Sequence, residues 1–270
     1  MSSDIWQMKV EKWCIEFDIP HRYLPEILSN PKVTPMIRGY ALEYQVLMLL
    51  NQLLPIDDWA VTKPVINAQA GLHDNDLLVE HLPSKKKIRV ECKLAKKGSF
   101  KFRSNEAQCE VKCMRSRTLG EGVLPARAKQ LGVRKDHLRA HADNYTSKEF
   151  DFVISALSNA FYETEESTLE YVWGPSADAE KFLKTYDPDP RKSTKEIATG
   201  YFLLARSSEL TPKSQQMSCR RRACRKGMDC EFIPNNPRVD FSEIDSRPEP
   251  PWYEISRVKD CFESFVRTAI

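Results

Sequence analysis

Asp76 precedes Glu91 by fifteen residues, and Lys93 follows Glu91 by two, in the run HDNDLLVEHLPSKKKIRVECKL (His73–Leu94). Two carboxylates brought together can take a hard divalent cation, with waters and a phosphate oxygen completing the shell. A lysine beside them can orient or deprotonate an attacking water and offset phosphate charge. Phosphodiester hydrolysis is the chemistry such a set suits. The same residues also describe a solvated hairpin with a surface ion pair, which is worth little to stability. A second Glu-x-Lys, Glu110 and Lys112, follows nineteen residues later, and so short a motif recurs by chance in a chain rich in both residues.

For the three side chains to meet, Asp76 must open one strand and Glu91 must lie near the end of the next. The pattern supplies both: NDLLVEHL and KIRVECKL read as strands around the turn PSKK. Residues two apart on a strand share a face, so Glu91 and Lys93 point the same way. WAVTKPVIN (residues 59–67) reads as a strand before them, and AQCEVKCMRSRTL as a fourth after them. The strongest helix is TPMIRGYALEYQVLMLLNQLLP, with Thr34 as its cap, Pro35 at its start and Leu42, Val46, Leu49, Leu50 and Leu53 at helical spacing. Residues 4–17 and HRYLPEILS read as short helices. LPARAKQLGVRKDHLRAHADNY reads as a helix with a weak point at Gly132. FDFVISAL, an almost unbroken apolar run, fits a buried strand beside a parallel neighbour. LEYVWG and GYFLLARS read as strands, SADAEKFLKTY as a helix capped by Ser176, and DPDPRKSTK as a loop. The order implies an α/β fold whose central sheet has mixed direction and is flanked by helices. Residues 1–206 would form the catalytic domain with its N-terminal helices. Residues 207–270, irregular and rich in Cys, Arg and Pro before a closing amphipathic helix, would pack on that domain.

Asp76-x14-Glu91-Cys92-Lys93 resembles the core motif of the PD-(D/E)XK nucleases, the superfamily of most type II restriction endonucleases. In that family the acid opens the second strand and E-x-K lies on the third, within a core ordered helix, three strands, helix, strand. Residues 36–157 read in that same order. The family's preceding helix often carries a further acid, and Glu43 in RGYALEYQVLMLL stands at that place. The resemblance implies a restriction-endonuclease-like core, Mg²⁺ held by Asp76 and Glu91, water activation by Lys93, and support from Glu43 for a second ion or a water. It also implies a homodimer that cuts double-stranded DNA at a short specific sequence as half of a restriction–modification pair, a palindromic site being matched by a two-fold axis. HDND stands where the family has a proline before its aspartate, so Asp74 stays open beside Asp76. Glu91/Lys93 is preferred to Glu110/Lys112 because KIRV before it reads as a buried strand, whereas SNEAQ is polar.

The charge distribution is compatible with a nucleic-acid partner. Net charge is only +3, but KLAKKGSFKFR, RSRTLGEGVLPARAKQLGVRKDHLR and CRRRACRK gather the basic residues into blocks. Lys96, Lys97, Lys101 and Arg103, in the loop directly after Lys93, are candidates to track a DNA backbone. Arg115, Arg117 and Arg127 are candidates for guanine contacts. Arg220, Arg221 and Arg222 add a third basic group near the C-terminus.

Cys219, Cys224 and Cys230 fall within twelve residues, which is unusual without a secretion signal. Tetrahedral zinc needs a fourth ligand, which Cys14, Cys109, Cys113, Cys261 or a histidine could provide. Iron–sulfur exonucleases of the same superfamily are similar in layout, with one cysteine before the nuclease motifs and three near the C-terminus, as in Cys14 plus this trio. Their Gln-x-x-x-Tyr helix motif is not found, although Gln130 lies in a comparable helix. Ordinary thiols in a basic loop are the alternative.

At 41% apolar and 29% charged, the chain is globular rather than disordered. No apolar run reaches a membrane span, and MSSDIWQMKVEKW lacks the core of a signal peptide, so a cytoplasmic protein is expected. A nucleotide-binding Gly-rich loop is missing, which argues against an ATP-driven enzyme. Three functions follow: a Mg²⁺-dependent type II restriction endonuclease, an iron–sulfur DNA exonuclease of repair or CRISPR adaptation, and a non-catalytic zinc-stabilised DNA-binding protein.

Overall fold

The computed structural model describes residues 3–64, 75–103 and 106–268; Asp74 and the side chain of Arg103 lie outside the described residues. Three helices lead: α1 (Ser3–Glu16), α2 (Leu24–Ser29) and α3 (Thr34–Leu53). Strands β1 (Trp59–Thr62), β2 (Leu77–His81) and β3 (Lys86–Leu94) follow, then the short β4 (Lys101–Arg103) and β5 (Glu106–Glu110). Helices α4 (Leu124–Leu131) and α5 (Lys135–Ala140) lead to β6 (Phe152–Ala156) and the hairpin β7 (Tyr162–Thr164) and β8 (Tyr171–Trp173). The chain ends with α6 (Ala177–Tyr186), α7 (Thr194–Gly200), β9 (Phe202–Arg206), β10 (Arg238–Phe241), β11 (Trp252–Glu254) and α8 (Val258–Thr268).

Six strands form the central sheet in the order β1-β2-β3-β6-β9-β11. Among the described residues only the β3–β6 pair is parallel, with Val90 beside Phe152 and Lys93 beside Ser155. The fold is therefore mixed α/β with helices on both sides of the sheet. Leu42, Val46 and Leu50 of α3 and Val258, Phe262 and Val266 of α8 cover one face, packing on Leu77, Val79, Ile88, Val90, Ile154 and Leu204. The other face, with Val153, Leu203 and Ala205, meets α6, α7 and a small sheet ordered β10-β5-β4. Removing one of these buried leucines, Leu50→Ala for example, should cost about 2–5 kcal/mol. Among the described residues no helix is long and apolar enough to cross a membrane.

Side-chain alternation on β3 decides where the chemistry can sit. Ile88, Val90 and Cys92 are buried under α3 and α8, so Glu91 and Lys93 face the opposite side.

Several expectations need correction. Thr34 is the first helical residue rather than the cap, and its hydroxyl donates to Leu28 O and Asn30 O. The helix expected after residue 124 breaks at Gly132, whose φ of +65° ends α4 in a left-handed cap. The fourth strand, β5, leaves the main sheet and pairs with β4 and β10 instead. The loop expected at DPDPRKSTK already contains Ser193, which with Glu196 forms the capping box that starts α7. Within residues 207–270, the segment expected to pack on the rest of the chain, β10 joins the small sheet, β11 edges the main one, and α8 covers its face.

Candidate active site and metal centre

The β2–β3 register pairs Leu77 with Val90, and one step further it sets Asp76 opposite Glu91. Asp76 Oδ2 accepts the Cys92 amide at 2.7 Å, which holds its carboxylate against β3. Glu91 is 4% exposed. Its Oε1 takes Lys93 Nζ at 2.6 Å and the Tyr145 hydroxyl at 3.0 Å. Tyr145 lies between α5 and β6, with Lys93 Nζ 5.3 Å and the Arg115 guanidinium 4.7 Å from the centroid of its ring. Glu43 of α3 accepts from Lys63, which follows β1, and both act electrostatically on Asp76. The structure thus brings Asp76, Glu91, Lys93 and Glu43 into one cluster and adds Lys63 and Tyr145 to it.

Burial, then the neighbouring Glu91 charge, push the Asp76 carboxyl up to about 7, against the pull of Lys93 and the Cys92 amide. Burial alone would lower Lys93, but the neighbouring Glu91 above all outweighs it and holds the ammonium well above its ordinary range. Lys63 behaves alike, burial being outweighed by Glu43. The Cys92 thiol is driven well up by burial and by the same acids, so it is an inert core thiol. Three carboxylates face two ammonium groups. The cluster is balanced while Asp76 holds its proton and is one positive charge short once Asp76 ionises. Asp76 and Glu91 are oxygen donors of the type that hard divalent cations take. The carboxylates do not converge on one point; each is engaged by a protein donor.

Glu110 and Lys112 stand apart. Glu110 ends β5 and pairs with Lys96 at 2.5 Å, its amide bonded to Ser99 Oγ, and Lys112 is exposed. The basic candidates divide sharply. Arg115, 8% exposed, donates twice to Glu149 at 2.5 and 2.6 Å and once to Asn144 O at 3.0 Å. Its guanidinium, a candidate for a guanine contact on sequence, is here engaged by Glu149 and Asn144. Arg127 is likewise turned inward to Glu149, with Gln130 as second partner. Lys97 packs on the Tyr171 ring and bonds Thr164, and Arg221 pairs with Asp143. Lys96, Lys101, Arg117, Arg220 and Arg222 remain at the surface.

A second cluster lies at the far end of α5. The ligand atoms of His137, His141, Cys224 and Cys230 all fall within 4.8 Å of one another, the one such group among the described residues, and form a candidate metal-binding site. Cys219 Sγ adjoins it, 3.8 Å from His141 Nε2. Burial pushes the His141 imidazole down to about 4. The extra donors are therefore two histidines. Cys14, on which the iron–sulfur layout depends, lies outside the group, as do Cys109, Cys113 and Cys261.

No family model, curated protein or solved structure matches this chain. Function must be read from the two clusters alone. Lys63 and Tyr145 carry no motif that marks them in the sequence. His137 and His141 fall in a segment whose sequence reads as helix, and their four-residue spacing on one face is a usable signal for paired ligands.

Proposed function

We propose that this chain is a Mg²⁺-dependent endonuclease of the PD-(D/E)XK type, hydrolysing double-stranded DNA at a short specific sequence as a homodimer, in the manner of type II restriction enzymes. One observation carries the reading: Asp76 and Glu91 stand at facing positions of the β2–β3 hairpin, with Lys93 paired to Glu91 on the same strand face. The surroundings support it. α3, bearing Glu43, packs beside this hairpin, and β3 is parallel to β6 beyond α4 and α5, the order of that family's core.

Asp76 and Glu91 would hold the ion. Bound there, Mg²⁺ would neutralise charge on the phosphoryl and leaving 3′ oxygens. In the hydrolysis, a water oxygen bonds to phosphorus, the bond from phosphorus to the 3′ oxygen breaks, the water gives a proton to solvent, and the leaving 3′ oxygen takes a proton from solvent to become a hydroxyl. Lys93 enters as an ammonium, so it contributes charge, offsetting what builds on the phosphoryl oxygens. Tyr145 fixes Glu91, and Lys63 holds Glu43 next to Asp76. Asp76 must lose its proton before it can serve as a ligand.

The test is incubation of plasmid or phage DNA with the purified chain, with and without Mg²⁺. Discrete fragments that require Mg²⁺ and disappear with Glu91→Ala support the reading. A non-catalytic zinc-stabilised DNA-binding protein is the second reading, favoured by the Cys/His cluster. It expects tight DNA binding with no cutting under any condition.

A further inference from the structure

The spacing of sulfur and nitrogen at the end of α5 is that of a coordination shell. Cys224 Sγ lies 3.5 Å from His137 Nε2, and Cys230 Sγ lies 3.6 Å from His141 Nε2 and 3.9 Å from His137 Nε2. Zinc bonds of about 2.3 Å to sulfur and about 2.0–2.1 Å to nitrogen, at a tetrahedral angle, give a sulfur–nitrogen edge of about 3.6 Å. We infer that His137, His141, Cys224 and Cys230 hold one Zn²⁺, that Cys219 stands outside this shell, and that the ion fixes the segment carrying Tyr145 to the basic loop Arg220–Arg225. On binding, each of the two thiols gives its proton to solvent and coordinates as thiolate.

The imidazoles are oriented for this role by their own neighbours. Asn144 spends its amide hydrogens on Ile233 O and Asn235 Oδ1, both at 2.7 Å. Its oxygen is therefore left to accept from His141 Nδ1 at 3.2 Å, which sets the tautomer that leaves Nε2 open to a metal. Phe232 stacks flat on His141, with centroids 4.4 Å apart, and sets its ring across that of His137 at 4.9 Å. Cys219 is the weaker candidate because its sulfur, although 3.8 Å from His141 Nε2, falls outside the group whose four ligand atoms all lie within 4.8 Å of one another.

The two sides of the shell have different destinations. From the histidines the chain runs through Asp143, which pairs with Arg221, and Asn144 to Tyr145, whose hydroxyl reaches Glu91. From the cysteines it runs through Arg220, Arg221, Arg222 and Arg225, three of them exposed. A metal joining these strands of chain is a positioning device, remote from the reacting phosphate.

The experiment reads metal content in the full chain, without DNA, so its failure is distinct from failure of the nuclease reading. Elemental analysis should find about one zinc per chain. His137→Ala, Cys224→Ser and Cys230→Ser should each lower it about tenfold or more, and Cys219→Ser should leave it unchanged. Because ligand variants can lose their fold with the metal, Co²⁺ substitution of the parent and of Cys219→Ser decides independently. Tetrahedral visible bands with equal sulfur-to-cobalt charge-transfer intensity in both support the assignment. Zinc below about one tenth of an equivalent, iron with visible absorbance in place of zinc, or a charge-transfer band weakened by Cys219→Ser would overturn it.

Discussion

Tyr145 donates its hydroxyl to Glu91 Oε1 at 3.0 Å, the same oxygen that receives Lys93 Nζ at 2.6 Å. A carboxylate that is 4% exposed is thereby held by a neutral donor and a cation from different elements. Tyr145→Phe removes the neutral donor and leaves Lys93 in place. We expect a loss of about 1 kcal/mol in urea denaturation. DNA cleavage should fall about tenfold, since a 1.4 kcal/mol loss in positioning is tenfold in rate. Unchanged cleavage would show that the tyrosine is a packing residue only.

The Asp76 carboxyl supplies a pH signature. Its folded value of about 7 lies above the ordinary 3.8. Between those pH values the folded state keeps a proton that the unfolded state releases, so stability falls as pH rises through about 4 to 7 and levels off above it. Asp76→Asn removes this dependence. With chelator present, the variant should be the more stable protein at pH 8, by on the order of 2–4 kcal/mol, and should gain little at pH 4. A parent and variant with parallel stability curves in pH-dependent denaturation would contradict the assigned environment.

Basic residues should separate into two classes. Arg115→Ala breaks a buried bidentate pair and strands Glu149 beside Arg127, so about 3–5 kcal/mol of stability should be lost in thermal denaturation. Arg222→Ala, at the surface, should change stability by less than about 0.5 kcal/mol. If that loop meets DNA, the same change should reduce the slope of log affinity against log salt by about one. A salt slope that does not change would remove the 220–222 group from the interface.

The sheet was legible because its strands are short, apolar and punctuated. The alternation of apolar and polar residues in KIRVECKL continues through Cys92, and it places Glu91 and Lys93 on one face of β3, although Glu91 is itself buried on that face. FVISA of β6, buried at every position, announced a strand covered on both sides. Long-range pairing was not legible. Nothing local tells β5 to abandon the main sheet, since its partner β10 lies about 130 residues later, and sequence separation carries no periodic signal. Tyr145 and Lys63 reach the cluster through that same tertiary placement. The metal group was half legible: its cysteines stood out by number, but their x4 and x5 spacings match no common zinc motif, and their histidines lie some eighty residues upstream.

The most direct measurement of the central claim is DNA cleavage by the parent, Lys93→Ala and Lys112→Ala, each with and without Mg²⁺. Lys93 sits on Glu91 inside the cluster, whereas Lys112 is exposed outside it. Discrete, Mg²⁺-dependent fragments are expected from the parent and from Lys112→Ala, and a loss of about 10²–10³-fold or more with Lys93→Ala. Full cutting by Lys93→Ala, or loss of cutting with Lys112→Ala alone, would contradict the claim.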